Sequence, residues 1–588
     1  MEATGVYPTA LTASLYNITD DTLVAEISAT DSEPALQRKG TAGLSVTNNN
    51  GTTQQRFGQF DNFLYQSVEY IPDEIDLDGD SSDGDIATLR KLLIGRESSE
   101  TVVSDINADG NTDICDLVFA QRTLTYKWWE RGGYIVVGGG YDSEAAAMRS
   151  SIVNSISTSP ESDGTTYYIS PNGSDWNSGT SPDKPWKNLK YDFMFWDHEL
   201  QEGDVVLFER GGVYRQTETL NVDVSGIYFG AYGEGAKPVI CGSAQDYATA
   251  SWTSGGDNIW TLSGALTSSD TTADAGVVVF DNGQWAGRLR SSSADLKKNG
   301  DFYHDTENDI LYLYCDGGNP TEVYGNIEIG VDRHIFGVFN NRDNITFDNL
   351  CFRYTGGHGI TLYQNNDNIK ITNCEFGWIG GSVQTGTTRY GNAIQFWDSC
   401  GDVTVENNWI YQVYDAGFTF QFTDHGAGNK GGRYENIKFL GNLVEYCTYS
   451  VELFSESTDA YVKNVEISDN VMRFAGYGWG NQRPSKEDDS HINGWSGNVD
   501  YDAAMVTDFV IKNNVFDCST TQIINWRSST PLTGVSVSSN TYFEKAYGNN
   551  LTMNYGIAGK TYADNQTALE EAVAAFDPSP TLVKWLQP

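Results

Sequence analysis

The sequence predicts a mainly β chain, most of it a right-handed parallel β-helix, with an N-terminal β segment and a small α-helical calcium-binding module ahead of it. Three observations carry this reading. From about residue 165 the chain runs as short β stretches punctuated by Asn, Asp and Gly. Within that region one seven-residue template recurs, beginning at Asn344, Asn368, Asp402, Asn436, Asn464 and Asp508. Residues 71 to 126 hold an acidic loop followed by a helix, repeated at a spacing of 31.

Composition narrows the functional classes. The chain has 588 residues, and its 37 basic against 79 acidic side chains give a formal net charge of −42. Such a field repels phosphate backbones and anionic lipid surfaces, so neither nucleic acid nor membrane is an expected partner. Hydrophobic residues at 39% and aromatic residues at 13% supply the apolar surface a disordered acidic chain lacks. There is no run of eighteen apolar residues that would insert into a membrane. The opening MEATGVYPTA has no basic and apolar leader, as at a start set within a longer chain. Eight cysteines without a CxxC pair read as buried thiols, and six histidines without HxxxH or HExxH spacing disfavour a zinc enzyme.

Residues 1 to 70 alternate apolar and polar positions, as in Thr22 to Ile27 and Gly43 to Val46, and read as short antiparallel strands. This segment resembles the last strands of a concanavalin-like sandwich, a fold that 70 residues do not close alone.

In residues 71 to 126 the second loop places Asp105, Asn107, Asp109, Asn111 and Asp116 at positions 1, 3, 5, 7 and 12 of a calcium loop, with Gly110 at the sharp turn. The first loop fits the same register with Glu74, Asp76, Asp78, Asp80 and Asp85. Oxygen ligands at alternate positions converge because the loop curls around the ion, and each loop then opens a short amphipathic helix. The pair resembles a type I dockerin. That resemblance implies two Ca2+ ions, a cohesin module of a scaffoldin as partner, and a secreted, extracellular protein held on a cell-surface cellulosome. Asp83 and Gly84, and then Ile114 and Cys115, depart from the Ser-Thr pair common at the positions that select the cohesin. Residues 127 to 163, with glycines at 138 to 140 and a Ser/Thr-rich stretch, read as a flexible connector.

Residues 164 to 588 form the β-helix with a C-terminal cap. In each template the second and fourth residues are apolar and point one way along a period-two strand, and the Asn that follows tolerates a left-handed turn. Each unit is one rung. Rungs stacked about 4.8 Å apart bury what a single rung cannot. The steps of 24, 34, 34, 28 and 44 residues mean loops of unequal length leave the stack, and such loops commonly line a binding face. Gln566 to Ala575 reads as a helix covering the last rung.

A second strand follows each template, and its outward members align as Thr361, Gln395, Thr419 and Glu452. Around this row lie His358, Arg389, Asn392, Trp397, Asp398 and Gln421, with Trp479, Arg483 and His491 on the longest excursion. Aromatic faces stack on pyranose rings, while amides and charged groups bind hydroxyls. Glycoside hydrolysis needs one protonated and one ionised carboxyl. Asp415 and Glu452, on consecutive rungs, are the leading pair, with Asp398 and Glu456 in reserve. Strict register sets Asp415 and Glu452 several residues apart, so a bend at Ala416 and Gly417 is needed to reach the separation of about 5 to 9.5 Å that such pairs use. The segments at 380 to 397, 414 to 421 and 476 to 484 resemble β-helix glycosidases, closest to glycoside hydrolase family 141, which has fucosidase and xylanase activities. The resemblance implies a glycoside hydrolase acting on a plant or host polysaccharide. A polysaccharide lyase on the same fold and a non-catalytic glycan-binding β-helix are the alternatives.

Overall fold

The computed structural model describes the strands Glu2–Thr4, Thr9–Asn17, Thr22–Asp31, Gly43–Leu44 and Phe57–Gly58, and then residues 139–586 apart from short stretches at 158–159, 190–199, 265, 267–273, 423–431, 456–459, 484–488, 497–505, 527–533, 546–550, 556–559 and 564. The chain divides into two units, Met1–Thr125 and Tyr126–Pro588. In the first, the five strands form one antiparallel sheet with Glu2–Thr4 at its centre. The ten calcium-ligand positions from Glu74 to Asp116 lie outside the described residues.

In the second unit the chain visits three parallel sheets in rotation. Cys400–Glu406 enters the first sheet, Trp409–Val413 the second and Ala416–Phe422 the third; Arg433–Leu440, Leu443–Glu445 and Tyr449–Ser455 then repeat the circuit one rung on. Register between rungs is parallel throughout this part, for instance Val403 beside Ile437 and Phe418 beside Val451. This is a parallel β-helix. Its interior is one continuous apolar core running from Tyr167 to Phe576.

Every template expected from sequence enters the first sheet, and the residues opening them adopt the left-handed region, with φ of 61° at Asn344, 54° at Asn368, 53° at Asp402 and 59° at Asn436. The asparagines closing the later templates form a buried row. Asn408, Asn442, Asn470 and Asn514 each donate from Nδ2 to the Oδ1 of the next rung, at 2.9 to 3.0 Å, the last onto Asn540. The seven described cysteines are buried free thiols. At the C-terminal end the helix Gln566–Ala574 inserts Leu569 and Val573 into the main core.

Two features differ from the sequence reading. The stretch 127 to 163, expected as a flexible connector, carries the helix Asp142–Val153, packed against the second sheet. A charge cluster holds it there. Arg473 bonds Asp142, Glu445 at 3.0 Å and Asp517 at 2.8 Å, and Arg149 pairs with Glu445 at 2.7 Å. The Ser-rich surroundings hid a helix whose partners lie about 300 residues downstream. The second difference is an insertion after Cys241, where the chain leaves the rungs to build two small, mostly antiparallel sheets before returning at Phe336–Phe339. The insertion has its own core around Phe280, Phe302 and Leu313.

Candidate active site

The outer face of the third sheet carries the aligned residues expected at the site. Its strands are in register so that Thr361, Gln395, Thr419, Glu452, Asn493 and Asn525 form one row across six rungs. Their neighbours Ile360, Ile394, Phe418, Val451, Ile492 and Ile524 point into the core, and alternation along each strand turns the polar members outward. The row was expected to face solvent. All six of its members are instead buried, with Glu452 only 5% exposed.

Burial of so many polar groups requires that each find a partner. Glu452 Oε2 accepts from Thr419 Oγ1 at 3.1 Å and Gln421 Nε2 at 2.9 Å, and Oε1 accepts from Asn493 Nδ2 at 3.2 Å. Gln421 in turn accepts from Gln395 at 3.3 Å, and Gln395 from Thr361 at 3.2 Å. On the other side Asn525 donates to Asn493 at 2.9 Å.

Asp415 precedes the strand Ala416–Phe422, one rung back and four residues upstream of Thr419, the register partner of Glu452. It is also buried, and its Oδ1 bonds Arg483 Nη1. The Arg483 guanidinium lies over the rings of Tyr414 and Tyr449, at 5.9 and 5.4 Å, between the two carboxylate-bearing rungs.

Arg483 is held from both sides. Gly478 and Gly480 pack so closely that a Cβ would fall 1.8 Å from the Tyr446 carbonyl oxygen and 2.6 Å from that of Tyr414. The short turn Trp479–Gln482 follows the rungs because these residues carry no side chain. Gln482 reaches the insertion, accepting from the Leu289 amide at 2.9 Å and donating to the Gly287 carbonyl at 3.1 Å. The inserted sheets thus fix the residue next to Arg483.

The two carboxyls differ in surroundings. Burial pushes Glu452 up to about 7, the charge of Asp415 adds to the push, and Arg483, Gln421 and Thr419 oppose it. Burial raises Asp415 as well, against the charge and hydrogen bond of Arg483. Of two acids beside one guanidinium, the one bonded to it carries charge more readily. The other keeps a proton toward neutrality.

No protein-family profile matches the chain, and no curated protein matches it in sequence. Solved structures similar to it include XylC in complex with xylose, at 14% identity and TM-score 0.39 over 68% of this chain and 73% of that one. A GH136 lacto-N-biosidase from Eubacterium ramulus is 15% identical with TM-score 0.29 over 74% and 69%. A rhamnogalacturonan lyase is 14% identical with TM-score 0.34 over 66% and 77%.

The remaining residues expected at the site divide into three groups. Asn392 and Trp397 lie on the same outer face. Asn392 is fully buried, its Oδ1 accepting from the Ala416 amide at 2.9 Å while its Nδ2 has no partner among the described residues. Trp397 is half-buried against Tyr363. A second group is engaged in holding structure. Arg389 forms a two-pronged pair with Asp274 of the insertion at 2.6 and 3.0 Å. Burial holds His358 well below the usual histidine range; its ring stacks on His334 and its Nδ1 accepts from the Asn392 amide at 2.9 Å. Asp398 sits at a left-handed turn with φ of 60°.

Trp479 and His491 face away from the site. Trp479 is 1% exposed, in an apolar cluster with Trp378, Tyr411 and Tyr414, and its Nε1 donates to the Gln412 carbonyl. It therefore does not clamp a sugar. His491 is fully buried against Phe516 of the core, and burial lowers it to about 3. It occupies the register position of Gly417 and Ser450, where a Cβ on Gly417 would meet Val444 and Ile410. This corner turns side chains inward, and period-two counting from Asn493 misses it. Glu456 of the reserve pair lies outside the described residues. Sequence reasoning missed Asn493 and Asn525, although Ile492-Asn493 and Ile524-Asn525 repeat the apolar-polar step of Val451-Glu452.

Proposed function

We propose that this protein is a glycoside hydrolase that cleaves O-glycosyl bonds of a plant or host polysaccharide, with Asp415 and Glu452 as its catalytic pair. One observation carries the reading. Of two buried carboxyls on consecutive rungs, Asp415 bonds the Arg483 guanidinium, whose charge also acts on Glu452, while Glu452 itself is surrounded by neutral donors. Groups of one kind held in unlike environments divide into acid and base. Glu452 gives its proton to the glycosidic oxygen as the bond to the anomeric carbon breaks, and Asp415 supplies the negative charge that attacks that carbon or deprotonates the attacking water. Asn392 Nδ2, buried beside Asp415's strand without a partner among the described residues, is a donor for a sugar hydroxyl.

Digestion of a glycan panel read by mass spectrometry tests this. Glu452→Gln and Asp415→Asn should fold as the parent and release product far more slowly, whereas unchanged digestion by both removes the site assignment. Arg483 and Tyr449 beside the pair also suit a lyase, in which a cation neutralises a uronate. A product with an unsaturated, ultraviolet-absorbing end would establish that reading, and glycan capture without release would leave a binding protein.

Residues 71 to 126 are proposed to be a dockerin that takes up two Ca2+ ions and docks a cohesin of a cell-surface cellulosome. Two loops in one register support this. Chelation should abolish cohesin capture while leaving glycan digestion intact.

A further inference from the structure

The hydrogen-bond row on the third sheet has a direction. From Thr361 through Gln395 and Gln421 each side chain donates toward Glu452, and from Asn525 through Asn493 the donors run toward it from the opposite side. Thr419 adds a third donor. Five rungs besides its own are oriented on one carboxylate. We propose that this row is a positioning device which locks the Glu452 rotamer, directs its donors at the charged form of the carboxyl, and leaves Oε1 as the oxygen that carries the catalytic proton.

The chemistry follows from the inventory of lone pairs. A carboxylate oxygen accepts about two hydrogen bonds. Oε2 is filled by Thr419 and Gln421, whereas among the described residues Oε1 receives only Asn493. A proton on Glu452 therefore sits on Oε1, where a lone pair is free. Amide dipoles aligned toward the group favour its charged form, against the burial and the Asp415 charge that favour the neutral one. The charged and titratable groups facing Glu452 are Asp415 from the preceding rung, Arg483 from the loop and Tyr449 from its own strand. None of these donates to it directly; among the described residues its hydrogen bonds come from the neutral row.

This inference rests on the hydrolase reading for its consequence and on the row alone for its cause, and the test separates the two. Full-length protein labelled with 13C-glutamate is titrated by infrared difference spectroscopy, with Glu452→Gln identifying the Glu452 band. Thr419→Val and Gln421→Met remove a donor at nearly constant volume, and Thr419→Ser restores the hydroxyl. The Glu452 midpoint should rise by roughly one pH unit in the first two variants, the equivalent of one charge-assisted hydrogen bond, and return in the third. In the same variants the alkaline limb of kcat/KM should move upward, with kcat reduced and KM nearly unchanged. A midpoint that stays in place in folded Thr419→Val and Gln421→Met overturns the device. A midpoint that moves while the activity limb does not leaves the device standing and removes Glu452 from the chemistry.

Discussion

Two buried polar rows run along this β-helix, and they are built to opposite ends. The asparagine row at the turn between the first and second sheets is uniform and runs one way: from Asn408 to Asn470 each Nδ2 donates to the next Oδ1 and to a main-chain carbonyl, and only the last member, Asn540, donates to an acid, the buried Asp577 at 3.1 Å. The row on the third sheet is mixed in residue type and ends, from both sides, on an acid. A uniform row distributes its hydrogen bonds and stabilises the stack. Donors that converge from both sides on an acid in the middle of the stack are concentrated at a point, which is where chemistry with protons becomes possible.

The sharpest way to break this comparison is to neutralise the focal acid. Glu452→Gln should lower kcat by about 10²- to 10⁴-fold, the range that loss of a general acid gives, with little loss of melting temperature. Asp415→Asn should match it in activity and also leave Arg483 without its carboxylate. In the asparagine row the outcome reverses. Asn470→Ala removes the acceptor of the Asn442 amide groups and the donor to Phe439 and Asn514, so denaturant unfolding should show a loss of about 3 kcal/mol or more with activity retained per folded molecule.

The pH dependence of stability sharpens the contrast. Glu452 has its folded value raised to about 7 from an ordinary 4.5, so the folded protein holds a proton there that the unfolded chain releases. The resulting stabilisation is fully present below about 4.5 and is lost as pH rises through about 7. The asparagine amides do not titrate. Melting temperatures of the parent minus those of Glu452→Gln should therefore fall between those limits, whereas the difference between the parent and Asn470→Ala should stay flat.

The two rows were not equally legible in the sequence. The asparagine row could be read because the last four copies of the template end on Asn408, Asn442, Asn470 and Asn514, where the first two end on Leu350 and Cys374. Thr361, Gln395, Thr419 and Glu452 could be aligned because an apolar-polar-apolar step marks each strand. What alignment misses is set by long-range packing. The inward turn of His491 depends on a corner, the burial of Trp479 on the neighbouring aromatic cluster, and the helix Asp142–Val153 on Arg473 and Glu445. None of these leaves a local period. The insertion escaped for a related reason, since its short strands alternate like the rungs do and differ only in pairing antiparallel.

That insertion supplies the smallest effect and the finest division between holding and reacting. Gln482 touches neither acid, yet its two hydrogen bonds to Gly287 and Leu289 tie the residue beside Arg483 to the inserted sheets. Removing them lets the guanidinium move against Asp415 while the stacking rings of Tyr414 and Tyr449 remain. Gln482→Ala should thus cost a few-fold in kcat, with a change of about 1 kcal/mol in stability from two partly buried bonds. The acidic limb of the rate profile should shift upward, because Asp415 loses part of the charge that keeps it ionised. An activity loss with the acidic limb unmoved would mean that the insertion shapes the cleft wall without governing the carboxylate.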